Sequence, residues 1–170
     1  MKKDLLVVVD MQNDFIGGVL GTKEAQDILP AVAGRIRKAV HDGDDIIYTR
    51  DTHEKNYLTT QEGKNLPVPH CIRGSFGWQI ADGIGVAGEI VDKPAFGSDE
   101  LARKVKEGGY DSAELVGVCT DICVISNALL IRSLCPETEV PVRADCCAGV
   151  TPERHRVALE AMRACQIKII

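Results

Sequence analysis

Residues 4–10, "DLLVVVD", place five consecutive apolar residues between two aspartates. A strand with one wet face alternates apolar and polar residues, so an unbroken run of strand length belongs to a strand covered on both faces. Such a strand needs helices on either side, and the rest of the chain supplies them in alternation with further strands. "DILPAVAGRIRKAVHDG" (27–43) carries Ile28, Leu29, Val32, Ile36 and Val40 near helical spacing, basic residues late in the pattern and Gly43 past its end. "DIIYT", "EIVDK", "SAELVGV", "EVPVRAD" and a short "IKII" read as strands two to six. Between them, "SDELARKVKEGG" is a helix with Ser98 as N-cap, and "CTDICVISNALLIRS" opens another. "TPERHRVALEAMRACQ" is the clearest helix, with Thr151 as N-cap and Pro152 at its first position. The expectation is an α/β protein: a three-layer α/β/α arrangement around a six-stranded, mostly parallel sheet. No repeat or linker divides the chain, so residues 1–170 are expected to form one domain.

The bulk numbers narrow the function. A net charge of −5 gives no basic footprint for nucleic acid. Apolar runs are strand-sized, which argues against a membrane span, and the N-terminus lacks a small-residue cleavage site. Seven cysteines, an odd number without secretory context, suggest reduced thiols and a cytoplasmic location.

In a parallel sheet, ligands bind beyond the carboxyl ends of the strands. Asp10 ends the first strand, Asp51 and His53 follow the second, Lys93 ends the third, and Cys123 lies just past the fourth. A carboxylate, an ammonium and a thiol are thus expected on one rim. In the first turn of its helix, Cys123 would have its thiolate favoured by the helix dipole, and an adjacent Lys93 would lower the thiol further. Asp10 could accept and return its proton, and backbone amides beside the sulfur could hold an oxyanion. The same cysteine reads equally well as a small buried hydrophobe, and Cys119 leaves a redox pair open. Cys71, Cys135, Cys146, Cys147 and Cys165 show no ligand spacing and read as structural.

From about Arg50 to Gly88 the chain has no long periodic element, an unusual length for a loop in a compact domain. Asp51 and His53, two apart in extended chain, point the same way and can share a metal, with His70 further along the same loop. Glu62 or Glu54 could add a carboxylate. Oxygen and imidazole donors suit zinc, iron or manganese; the alternative is a solvated polar loop. His41 and His155 read as surface residues. The glycines of "DFIGGVLGT" lack the spacing and lysine of a phosphate loop, which excludes nucleotide binding there.

Taken in order, "VVVDMQNDF", "TRDTHEKNY", "HCIRGSFGW", "VDKPAFGS", "GVCTDICV" and "ADCCAGVTPERH" resemble the isochorismatase-like cysteine hydrolases from end to end, and within them the nicotinamidases. The resemblance implies a catalytic trio of Asp10, Lys93 and Cys123, the same three that strand position selects. It implies a cis peptide between Val118 and Cys119, turning the backbone amides of Cys119 and Cys123 towards an oxyanion. It implies a divalent metal, zinc first and iron or manganese next, on Asp51, His53 and His70, with Glu62 as the fourth ligand. Phe15 and Trp78 would line the substrate. The implied reaction is hydrolysis of a small carboxamide, nicotinamide first, through a thioester. Hydrolysis of an N-carbamoyl or ureido compound is the alternative, as is an inactive or redox member that only binds small molecules. A small-molecule amide is then the expected partner, with no nucleic acid and no membrane, in a homo-oligomer. Asn127 departs from the threonine that many relatives carry there.

Overall fold

The computed structural model describes residues 3–170; Met1 and Lys2, at the start of the expected unit, lie outside the described residues. Six strands form one sheet: β1 Asp4–Val9, β2 Asp45–Asp51, β3 Glu89–Lys93, β4 Ser112–Val118, β5 Pro141–Ala148 and β6 Lys168–Ile169. Their order is β3-β2-β1-β4-β5-β6, and every pairing is parallel. The helices are α1 Asn13–Ile16, α2 Lys23–Asp27, α3 Leu29–Asp42, α4 Gln61–Asn65, α5 Asp99–Gly108, α6 Ile125–Leu134 and α7 Pro152–Ala164. A 3-10 turn at Tyr57–Thr59 precedes α4, and a π-helical turn at Thr120–Val124 leads into α6.

The apolar run of β1 explains the three layers. Leu5, Val7 and Val9 face one way and pack with Leu101 and Val105 of α5, Ala128 and Ile131 of α6, and Leu159 and Met162 of α7. Leu6 and Val8 face the other way, onto Ala25 of α2 and Val32, Ile36 and Ala39 of α3. Each strand residue buried this way contributes about 1.5–3 kcal/mol of hydrophobic stabilisation. Helix boundaries follow their caps. The side chains of Ser98 and Thr151 accept from the amides of Leu101 and Arg154, while Gly43 and Gly109 close α3 and α5 in the left-handed region.

Two expectations change. Val40 is exposed and Ala39 takes its place in the core, because at 3.6 residues per turn Ala39 falls nearer than Val40 to the side shared by Val32 and Ile36. The fifth strand runs on to Ala148, pairing Cys147 with Gly117 beyond a register shift. The long segment after β2 is a loop as expected, interrupted only by the 3-10 turn and α4.

One buried polar knot crosses the sheet. Glu114 of β4 accepts from Arg35 of α3 at 3.0 and 3.1 Å and from Arg143 of β5 at 2.6 Å. Among the described residues no helix is long and apolar enough to cross a membrane.

Candidate active site

The strand order reverses between β1 and β4, and in such sheets ligands bind beyond the carboxyl ends of the strands at that point. Asp10 follows β1 at that point with φ 48°, a left-handed conformation that aspartate tolerates better than most residues. Thr49 holds it: its hydroxyl donates to Asp10 Oδ1 at 2.6 Å, and the Asp10 amide donates to the Thr49 carbonyl at 3.2 Å. Lys93, at the end of β3, reaches across beneath. Its Nζ lies 2.6 Å from Asp10 Oδ2, 3.4 Å from Cys123 Sγ and 3.1 Å from the Ala95 carbonyl. Asp10 and Lys93 are fully buried and Cys123 nearly so. The three groups expected on one rim are therefore brought together.

The turn that carries Cys123 depends on Gly117. At φ 117° an added Cβ would lie 2.1 Å from the Val9 carbonyl oxygen, so only glycine lets β4 pass this close to β1. The Val118–Cys119 peptide that follows is cis, as the resemblance implied. The Cys119 carbonyl then accepts from the amides of Ile122 and Val124, on either side of Cys123.

The electrostatics correct one expectation. Burial pushes the Cys123 thiol well above its ordinary value and Asp10 adds to this; Lys93 opposes both but does not prevail. Burial likewise raises the Asp10 carboxyl, against the pull of Lys93. Lys93 itself stays charged, since Asp10, Cys123 and Asp51 outweigh its desolvation. Lys93 is thus the cation that opposes the effect of burial at both the carboxyl and the sulfur. Burial, which no sequence pattern displays, reverses the expected sign at the thiol. Cys119 is pushed up to about 12, again chiefly by burial.

Beside this trio lies the second constellation. Asp51 Oδ2 is 2.9 Å from His53 Nε2 and 3.4 Å from His70 Nε2, and Glu62 Oε1 is 3.5 and 3.7 Å from the same two nitrogens. One ligand atom from each of the four lies within 4.8 Å of all the others. Two imidazoles and two carboxylates, buried or nearly so, fit a divalent ion of the zinc type. The surroundings set their aim. Val68's carbonyl sits 2.8 Å from His70 Nδ1, which leaves Nε2 facing the cluster. Thr60 caps α4 so that Glu62 is presented in its first turn. Glu54 is taken up by Arg73 instead, at 2.9 Å, so of the two glutamates only Glu62 joins. Burial pushes Asp51 up, but His53, His70 and Lys93 outweigh it and hold it well below the ordinary carboxylate range. Asp51 Oδ1 also lies 3.5 Å from Lys93 Nζ, so the cluster and the trio share a wall.

Two supporting residues escaped the sequence reading. Gln12, fully buried, donates to the Asp51 carbonyl at 2.8 Å and accepts from the Asp51 amide at 2.7 Å, pinning that ligand's backbone. Tyr57 sets its ring against His53 and His70, with centroids 4.7 and 5.0 Å apart. The one signal for it was its place at the end of "TRDTHEKNY", a stretch that carries the resemblance. Phe15 approaches the His70 ring at 5.6 Å. Trp78 is clamped: its indole N–H donates to Thr52 at 2.9 Å and the Arg50 guanidinium lies 3.6 Å from its ring centre. His41 is exposed as expected, but His155 is half-buried and its Nδ1 lies 2.7 Å from the Thr120 hydroxyl, because α7 packs on the π-helical turn.

Comparison with known proteins agrees with this fold. A solved pyrazinamidase of Pyrococcus horikoshii, in complex with zinc, superposes with a TM-score of 0.87 at 32% identity, covering 99% of this chain and 98% of that one. The nicotinamidase/pyrazinamidase of Mycobacterium tuberculosis is 26% identical over 97% of each chain. A probable inactive nicotinamidase of Arabidopsis thaliana is 28% identical over 96% of this chain and 89% of its own. The isochorismatase domain model matches residues 4–170. With the fold, the buried Cys123–Lys93 contact and the four-residue cluster already in place, that match settles the relationship: the chain belongs to the isochorismatase family.

Proposed function

We propose that this chain is a single-domain cysteine amidohydrolase that converts nicotinamide to nicotinate and ammonia. The observation that carries the reading is the Lys93 ammonium, 2.6 Å from Asp10 and 3.4 Å from Cys123, with Asp51 shared between it and the metal-type cluster. Relatives named as nicotinamidases and pyrazinamidases support the substrate class. Asp51, His53, Glu62 and His70 would hold the divalent ion, zinc first, which when bound would supply a Lewis-acid anchor for a ring nitrogen. Phe15 and Trp78 are the proposed walls for the ring, Phe15 the one seated against His70.

The residues divide the chemistry as follows. The thiol proton of Cys123 passes to Asp10 while the sulfur bonds the amide carbon; Lys93 remains an ammonium and keeps company with whichever atom carries the charge. The oxyanion is met by the backbone amides of Cys119 and Cys123. Asp10 returns the proton to the amide nitrogen, the C–N bond breaks and ammonia leaves a thioester. Asp10 then takes a proton from water, the hydroxide attacks, the S–C bond breaks and the proton goes back to sulfur. A resting thiol that is protonated and beside a carboxylate suits this cycle, because the charge is created only when the proton has somewhere to go.

The test is ammonia release from nicotinamide, pyrazinamide and N-carbamoyl amides, with metal content measured. Cys123→Ala should abolish release, whereas Cys119→Ala should retain most of it. Equal loss in both would favour a thiol pair, and turnover confined to carbamoyl amides would overturn the substrate assignment.

A further inference from the structure

Asn127 lies one helical turn after Cys123 and is fully buried in α6. A buried amide this far from water must satisfy its own polar atoms, and this one does so by bridging two segments. Its Nδ2 donates to the Cys123 carbonyl at 2.8 Å and to the Phe96 carbonyl at 3.2 Å, while its Oδ1 accepts from the Ser98 amide at 2.9 Å. Both N–H groups and the oxygen are therefore spent, one bond on the helix and two on the segment after β3. That segment includes Ala95, whose carbonyl accepts from Lys93 Nζ at 3.1 Å. Between the two tethered residues sits Gly97, where an added Cβ would lie 2.5 Å from Leu130 Cδ1 of the same helix. The segment is thus laid flat on α6.

The consequence lies at the ammonium. Lys93 Nζ lies within bonding reach of Asp10, Ala95 and Cys123, with Asp51 further off at 3.5 Å. Asp10 is fixed by Thr49 of β2, and Cys123 by its helix. The Ala95 carbonyl is carried on the irregular segment between β3 and α5, and Asn127 bonds that segment to α6 at Phe96 and Ser98. We propose that Asn127 is a positioning residue, which fixes the Lys93 ammonium against the Cys123 sulfur by tying the segment after β3 to the helix of the nucleophile. The role as a nucleophile rests on the function proposed above; the placement of sulfur and ammonium does not.

Two variants separate positioning from plain packing. Asn127→Ala removes all three bonds. Asn127→Thr keeps a hydroxyl able to bond the Cys123 carbonyl one turn back but cannot reach Phe96 and Ser98, so it preserves the helix and releases the segment. The primary readout is the second-order rate of Cys123 alkylation by iodoacetamide, followed on the Cys123 peptide by mass spectrometry, alongside kcat and KM for nicotinamide. With the ammonium displaced, the thiolate loses its partner, and both variants should alkylate about tenfold more slowly at neutral pH. The kcat should fall with KM little changed. Val105→Ala, which loosens α5 without touching the tether, should leave alkylation unchanged or faster, since loosening only admits the reagent. A folded Thr variant alkylated at the wild-type rate or faster overturns the proposal, and that variant decides the matter if the Ala variant does not fold. A wild-type protein inert towards nicotinamide would overturn the substrate reading while the alkylation comparison still decides the role of Asn127.

Discussion

Asp51 faces two ways at once, with one oxygen towards the histidines and the other towards Lys93. Its four-residue cluster makes a measurable demand on each ligand. His70→Ala, which removes a nitrogen donor, should lower zinc retention after dialysis by at least about tenfold, and Glu62→Gln, which keeps shape and loses charge, should lower it less. Equal zinc content in wild type and His70→Ala, measured by atomic absorption, would remove the cluster as an ion site. Side chains of this kind were legible because strand ends fix where they go: Asp10, Asp51, Lys93 and Cys123 needed only the order of elements. Gln12 was not, since it works through the backbone of Asp51, a contact between the segment after β1 and the end of β2 that leaves no mark in either stretch. The direction of the Cys123 thiol was not legible either, because it is decided by how deeply the sulfur is buried and by Asp10 standing beside it.

Among the elements, β4 and the turn after it have the least freedom. Gly117→Ala would force a methyl group to within 2.1 Å of the Val9 carbonyl at φ 117°. The chain has no cheap escape, because Val9 pairs with Gly117 in the middle of the sheet. The expected cost is at least about 3 kcal/mol, read as a large fall in melting temperature or as failure to fold. A variant melting within a few degrees of wild type would show that β1 and β4 can part here without penalty. The strand itself was plain in the sequence, as were α5 and α7 with their caps, because period and capping residues are local signals. The π-helical form of the turn was not, since an extra residue in a helical turn has no composition of its own. Nor was the separate α2, where Thr22 opens a helix too short to show a period.

For the molecule as a whole, the Arg35–Glu114–Arg143 knot joins α3, β4 and β5, and it makes stability depend on pH. Burial pushes Glu114 up, but its bonds to Arg35 and Arg143 outweigh this and hold the carboxyl below its ordinary value. The folded state therefore binds this proton less readily than the unfolded chain. The contribution is fully present above the ordinary glutamate range and is lost as pH falls through the depressed folded value. Urea unfolding followed from neutral pH down to about pH 3 should show a shallower acid-side loss of stability in Glu114→Gln than in wild type. Parallel curves would mean that other carboxylates govern acid unfolding. The layered architecture was readable from the start, since the apolar run of β1 demands cover on both sides; the knot was not, because its charges lie far apart in the chain.

Lys93, the last residue of the edge strand β3, has no surface at all. Reagents that acylate amines meet the outer lysines, such as Lys23 and Lys38, at once, but can reach this one only when the strands separate. Incorporation of label at Lys93 would therefore time the opening of the molecule itself, a stopwatch wound by the fold and read from a single peptide.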